Sequence, residues 1–257
     1  FFCNAQGNDY FQQHVAYDID VSLNDSSHVL DAHFRMIYTN NSPDTLDFIW
    51  FHLWPNAYEN NETAFAKQEE RFKSHKFLLS EEKDRGYMDS LSFMIDGKSI
   101  HVDAHDKWND VAKLVLSKPL LPKQKINIET PFRVKIPKVF SRLGHIGKHY
   151  EITQWYPKPA VYDSKGWHPM PYLNMGEFYS EFGTFDVKIT LPEEYRIMAT
   201  GDLIDGEDEY AWLDSLSIVA DSIHALDEKE FKNAIKNIQS GKSKKKKSFL
   251  KKINSLF

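Results

Sequence analysis

Residues 151–191 read EITQWYPKPAVYDSKGWHPMPYLNMGEFYSEFGTFDVKITL. This stretch holds two of the chain's six tryptophans and four of its prolines among many Tyr and Phe. It closes on Gly183-Thr-Phe-Asp-Val-Lys-Ile-Thr-Leu191. There apolar and polar residues alternate as in a strand with one buried face. An aromatic loop held by prolines and ending in such a strand is a place to look for a binding surface. Packed loops of β-domains share that composition, because most apolar side chains are simply buried.

The segments before it also read as β. Residues 17–23 place Tyr17, Ile19, Val21 and Leu23 on one face, and Asn24-Asp-Ser-Ser27 is a turn cluster. Residues 29–39 form the return strand, and residues 46–54 are apolar on both faces, as between two layers. Residues 63–72 form one helix capped from Asn60-Asn-Glu-Thr63. Residues 87–95 are a strand, Asp96-Gly97 a tight turn, and residues 98–103 pair back. Strands at 111–116 and 126–136 follow, with Pro131 fitting an edge or a bulge.

Residues 207–239 change period. Trp212, Leu213, Leu216, Val219, Ala220 and Ile223 fall at helical spacing, as do Phe231, Ile235 and Ile238. Acids at 207–209 suit a helix N-terminus, and Asp227-Glu-Lys-Glu230 is similar to a capping box. The fold expected is mainly β, an antiparallel sandwich or saddle, with a C-terminal helical hairpin. The expected organisation is a leader remnant at 1–9, a β-domain at 10–205, the hairpin at 206–240 and a Lys-rich linker at 241–257.

Composition narrows the function. At 257 residues with 41% hydrophobic content the chain can bury a sizeable core. Mean hydropathy is −0.54, and no apolar run reaches the ~20 residues of a transmembrane helix. Seven lysines lie in residues 242–257, so the body is more acidic than the overall charge of −5. An acidic body argues against nucleic-acid binding. The basic tail can be a linker or an amphipathic membrane-surface segment. Phe1-Phe-Cys-Asn-Ala-Gln6 looks like the end of a signal peptide, with Cys3 and Ala5 at the small positions of a cleavage site. Export is therefore expected. Lipidation of Cys3 is a second possibility.

Thr153-Gln154-Trp155-Tyr156-Pro157, then Gly183-Thr-Phe-Asp-Val-Lys-Ile-Thr-Leu-Pro192, then Met198-Ala-Thr-Gly-Asp202 form an ordered set. That set resembles the N-terminal domain of M1 zinc aminopeptidases, in which a further strand follows the Phe-Asp-Val strand. Gly166-Trp-His168 and Gly176-Glu-Phe-Tyr179 resemble the exported bacterial branch. The resemblance covers roughly residues 10–205. It implies a periplasmic, outer-membrane-associated or secreted protein. It also implies a partner catalytic domain that carries zinc, and the N-terminus of a peptide as substrate. It puts Gln154, with Trp155 and Tyr156, at the substrate. Gln154 would hold the substrate's free α-amine, since an amide oxygen accepts from an ammonium. Two departures count against that role: Tyr156 replaces the family's Glu before proline, and the usual Cys-Phe-Asp-Glu-Pro is missing. A strand glutamine bonded to backbone is the plain alternative.

No catalytic residue, metal ligand or cofactor is expected in this chain, so alone it should be inactive. His145-Ile-Gly-Lys-His149 has the spacing of a zinc helix, but Ile146 stands where a glutamate base belongs and Gly147 disfavours helix. His52 reads as a core residue of a strand, and His168 as a possible functional group. A rival reading is a stand-alone exported module whose Trp155, Tyr156, Trp167, Tyr172 and Tyr179 grip a glycan or peptide.

Overall fold

A computed structural model describes residues 10–225 and 228–239. The leader expected at 1–9, Asp227 of the capping box, Gly241 and the Lys-rich tail lie outside the described residues, as do the side chains of Ile235 and Ile238. The described residues fall into two compact units, one ending at Glu193 and one beginning at Glu194.

The first unit is mainly β. In chain order it runs β1 (His14–Asn24), β2 (Val29–Thr39), β3 (Leu46–His52), a 3-10 turn (Trp54–Tyr58) and α1 (Ala64–Arg71). Then come β4 (Tyr87–Asp89), β5 (Met94–Ile95), β6 (Lys98–Ser99), β7 (His101–Ala104), β8 (Val111–Leu120) and β9 (Lys125–Lys135). Short strands follow: β10 (Gly144–Ile146), β11 (His149–Glu151), β12 (Lys158–Pro159), β13 (Val161–Asp163) and β14 (Gly166–His168), then β15 (Gly183–Thr190).

One sheet has the order β15-β1-β2-β9-β5-β6, with β4 also beside β9; a second has the order β12-β3-β8-β7. The alternation read in β1 holds: Tyr17, Ile19 and Val21 are buried while Asp18 and Asp20 face out. The two sheets share one core. Phe93 joins them, its ring 6.3 Å from Phe34 of β2 and 5.3 Å from Phe51 of β3. Burial of each such ring contributes about 1.5–3 kcal/mol.

Local chemistry explains the turns. Asn24 Oδ1 accepts from the Ser27 N–H at 3.2 Å, which closes the β1–β2 turn. Asp96 and Gly97 have φ of 47° and 75°, the two left-handed residues of a tight hairpin between β5 and β6. Thr63 Oγ1 accepts from the Ala66 N–H at 3.1 Å and caps α1, which buries Phe65 and Ala66.

Several expectations need correction. The strand expected at 46–54 stops at His52, because Trp54 and Pro55 start the 3-10 turn. The strand expected at 87–95 is two strands: Ser90 has φ 60°, and the Ser92 N–H is taken by Thr130 Oγ1 at 2.8 Å. Of residues 98–103 only Lys98–Ser99 pair back; after Ile100 the chain changes sheets and β7 joins β8. The strand at 111–116 continues to Leu120, and Pro119 sits where the β3–β8 register shifts. Pro131 is not on an outer edge. It pairs with His33 on one side and on the other faces the gap between β4 and β5.

The largest correction concerns β15. It is not half buried but lies at the sheet's edge, nearly all its residues exposed. It runs parallel to β1, unlike the antiparallel neighbours. Phe185 stacks on Tyr17 at 4.7 Å yet stays 48% exposed, because no further strand among the described residues covers it. The strand that the resemblance implies around residues 198–202 is not formed.

The second unit contains α2 (Glu207–His224) and α3 (Glu228–Gln239). Three acids open α2 at the positive end of its dipole. Arg196 pairs with Glu209 at 3.6 Å and lies 5.5 Å from the Trp212 ring. The apolar stripe read in α2 is present, but none of its residues is buried. No described helix is long and apolar enough to cross a membrane.

Candidate functional site

The segment after β11 brings Gln154 to a left-handed backbone conformation, φ 54°. A non-glycine residue held there costs about 1 kcal/mol or more, so the surroundings must fix it. They do so through Lys158, four residues on. Lys158 lies between Pro157 and Pro159, neither of which has an N–H to place. Its backbone pairs with His52 of β3, and Pro159 pairs with Phe51. This register turns the Lys158 side chain inward, where the residue is 8% exposed.

The Lys158 ammonium sits 4.8 Å from the Trp54 ring and 4.8 Å from the Tyr156 ring, and donates to Gln154 Oε1. Gln154 is its hydrogen-bond partner among the described residues, and burial, with no carboxylate opposing it, lowers its pKa to about 8. Across the ladder, burial and then the Lys158 charge lower the His52 pKa to about 3. His52 is thus a neutral imidazole. It stacks on Trp54 at 4.4 Å, and its Nε2 accepts from the Met170 N–H at 3.1 Å.

The aromatic loop after β14 is tied down through its backbone. Trp54 Nε1 donates to Met170 O at 3.0 Å, and Asp110 Oδ2 accepts from the Tyr172 N–H at 2.6 Å. Gln68 of α1 bonds both the N–H and the carbonyl of Met175. Glu69 Oε1 accepts from Asn174 Nδ2 at 2.9 Å. Residues 170–175 therefore rest on side chains from β3, α1 and the residues that flank β3 and β8. Asp110 Oδ1 has no partner among the described residues, and burial raises its pKa to about 7.

Gln154 and Tyr156 meet around Lys158, and the Tyr156 ring lies edge-on to Tyr17 at 5.4 Å. Trp155 also packs on the core, 5.8 Å from Phe132 of β9. Of the other rings, Tyr172 is 1% exposed and presents no face to a ligand. Trp167 packs on Tyr162 and Phe48. Tyr179 is exposed, and its hydroxyl donates to Asp163 Oδ2 at 3.1 Å. His168 Nε2 is 2.8 Å from the other oxygen of Asp163.

His145 and His149 lie on the strands of a hairpin, not on a helix. His145 stacks on His28, and His149 Nε2 is 2.9 Å from Glu151. Their different neighbours do not fit a shared zinc. No group of three or more His, Cys, Asp or Glu among the described residues is placed to hold a metal. The sequence reading missed Lys158, Trp54 and Asp110. For Lys158 the signal was there: one cation in the otherwise uncharged run Trp155-Tyr-Pro-Lys-Pro-Ala-Val-Tyr162.

No family model matches this sequence, and no curated protein matches it. Among solved structures the chain is similar to a two-domain M1 zinc metallopeptidase mutant bound to L-tryptophan. The identity is 12% and the TM-score 0.38, over 71% of this chain and 34% of that one. It is similar to an M1 zinc metallopeptidase mutant from Deinococcus radiodurans bound to a Tyr-Ser-Ala substrate, at 13% identity and TM-score 0.39, over 75% and 35% of the chains. For the M1 zinc metallopeptidase from the same organism the values are 13%, 0.36, 70% and 32%. The chain spans about a third of the length of these structures.

Proposed function

We propose that this chain is the N-terminal β-domain of an exported, M1-like zinc aminopeptidase and that it lends substrate contacts to a catalytic domain outside the chain. The reading rests on the ordered motif set from Thr153 to Asp202, and one observation carries it. Gln154, the residue which that resemblance places at the substrate, is held left-handed with its side-chain oxygen fixed. A strained, over-determined polar residue beside a buried charge is a feature of functional sites.

In this reading zinc and the general base come from the other domain, and no step through them is assigned to residues of this chain. The chain's part is to place Gln154, with Tyr156 and Trp155 behind it, against the N-terminal residues of a peptide. Peptide N-terminal hydrolysis by the whole protein follows from the reading.

The test is made on the longest natural polypeptide that contains this domain. It should carry a His-Glu-x-x-His segment and release aminoacyl arylamides in a chelator-sensitive way. A polypeptide without that segment and without hydrolysis, whose β-domain still binds peptides, would replace this reading by a binding module.

A further inference from the structure

The oxygen of Gln154 that could take a ligand's ammonium is already bonded to an ammonium of the protein. An ammonium group only donates, so the face of the amide toward Lys158 is its oxygen. The opposite face, Nε2, donates to no group among the described residues, and Gln154 is half-buried rather than sealed. From the geometry we infer that Gln154 reads a neutral carbonyl oxygen of the peptide backbone through its NH2, and that Lys158 is the specificity-determining residue that bars an amine from this position. The inference rests on the reading of Gln154 as a substrate contact and changes what it contacts.

Three observations support it. Lys158 is held from two sides by the Trp54 and Tyr156 rings, so its charge does not swing away. A second cation at Gln154 Oε1 would lie beside the first in a poorly solvated place, where like charges repel strongly. The cavity beside Lys158, bordered by Tyr17, Tyr156, Glu181 and Phe185, measures about 20 Å3 and holds no more than a water. A peptide group does not fit there, so what a ligand meets is the half-buried Gln154, whose Nε2 is a donor.

The test uses the full 257-residue chain with the side-chain amide of Gln154 followed by NMR. N-acetyl-dialanine amide supplies carbonyls and no ammonium, alanine amide supplies the ammonium, and N-acetyl-alanine supplies the carboxylate. The Gln154 NH2 signals should move and saturate with the first probe and respond at least ten-fold more weakly to alanine amide. Tighter binding of N-acetyl-alanine than of the first probe would show that the Lys158 charge and not the Gln154 donor selects the ligand, and would overturn the inference. Lys158→Met should improve binding of alanine amide about ten-fold. Gln154→Glu, which keeps a partner for Lys158 and removes the donor, should weaken the first probe about ten-fold while the melting temperature holds. Binding of alanine amide as tight as that of the acetylated probe, no response to any probe, or loss-free Gln154→Glu would each overturn the inference. An inactive parent protein with these NMR responses intact would instead count against the aminopeptidase reading alone.

Discussion

His28 and His145 lie ring on ring, their centroids 3.6 Å apart and their planes 17° apart, and the Tyr150 hydroxyl is 2.7 Å from His28 Nδ1. The stack joins the β1–β2 turn to the hairpin of β10 and β11. That hairpin leads directly into Thr153 and Gln154, and Thr153 Oγ1 donates to Arg142 O at 2.9 Å. A pair of imidazoles in this contact is stable while both are neutral.

The pH dependence follows from that. Burial, then the neighbouring His145 and Lys135, hold the His28 pKa below its ordinary value, with Asp25 opposing. Burial, then Lys135 and Lys138, do the same for His145, against the Gly147 carbonyl and Asp84. A histidine lowered in the folded state costs nothing above its ordinary pKa near 6.5. Stability falls as the pH drops below that value, where the unfolded chain takes up protons first. With Asp110 replaced by Asn, which removes its opposing titration, the melting temperature should therefore be lower at pH 5 than at pH 7.5. His145→Gln should flatten part of the slope, and His28 and His52 should account for the rest. Titration midpoints of His28 and His145 at or above 6.5 by NMR would contradict this.

Asp110 acts in the opposite sense. Its pKa is raised from 3.8 to about 7, chiefly by burial and against the Tyr172 N–H. Its stabilising effect is complete below pH ~4 and is lost as the pH rises toward 7, where the folded carboxyl must ionise. Asp110→Asn keeps an acceptor for the Tyr172 N–H and should remove that loss. Asp110→Ala leaves the N–H buried and unpaired, and should cost about 1–3 kcal/mol in chemical denaturation. Equal stability for Asn and Ala variants at neutral pH would show that the bond to Tyr172 contributes little.

Gly144 and Gly147 in the same hairpin should respond differently. A Cβ on Gly144 would lie 2.6 Å from Val139 Cα and 2.9 Å from Val139 N, both backbone atoms that cannot yield cheaply. Gly144→Ala should destabilise by about 1–3 kcal/mol. Gly147 has φ +57° and open space around it. Gly147→Asn should stay within about 0.5 kcal/mol of the parent, since Asn tolerates that conformation. Denaturation midpoints for the two variants check this, and a larger loss at Gly147 would place the constraint wrongly.

The β1–β2 hairpin, the Thr63 cap and the Asp96-Gly97 turn were legible because each follows from local chemistry: alternation, a capping hydroxyl, left-handed residues. The edge position of β15 was not legible. Gly183–Thr190 alternates as a buried strand would, and what leaves Phe185, Val187 and Ile189 exposed is the lack of a covering neighbour among the described residues. The break at Ser90 was hidden for a similar reason, since the distant Thr130 side chain takes the backbone donor nearby. Gln154 stood out in the sequence by its motif. Its partner Lys158 is visible in the sequence as a lone cation in an uncharged run, but only the pairing with His52 shows which way that lysine points. Asp110 and Tyr172 are 62 residues apart, and no local pattern links them.

The central claim is that Gln154 contacts substrate in a larger peptidase. The measurement that tests it most directly is kcat/KM for a dipeptide substrate in the whole protein, with and without Gln154→Ala. Removing one polar contact made to a ligand in a partly desolvated site should lower kcat/KM about five- to hundred-fold, or ~1–3 kcal/mol. Because Gln154 Oε1 is the acceptor for the buried Lys158 ammonium, the variant should also lose about 1–3 kcal/mol of stability, so it is compared with Lys158→Met, which removes the ammonium and keeps Gln154. An unchanged kcat/KM, or an equal loss of kcat/KM in Lys158→Met, would make Gln154 a structural partner of Lys158 and nothing more.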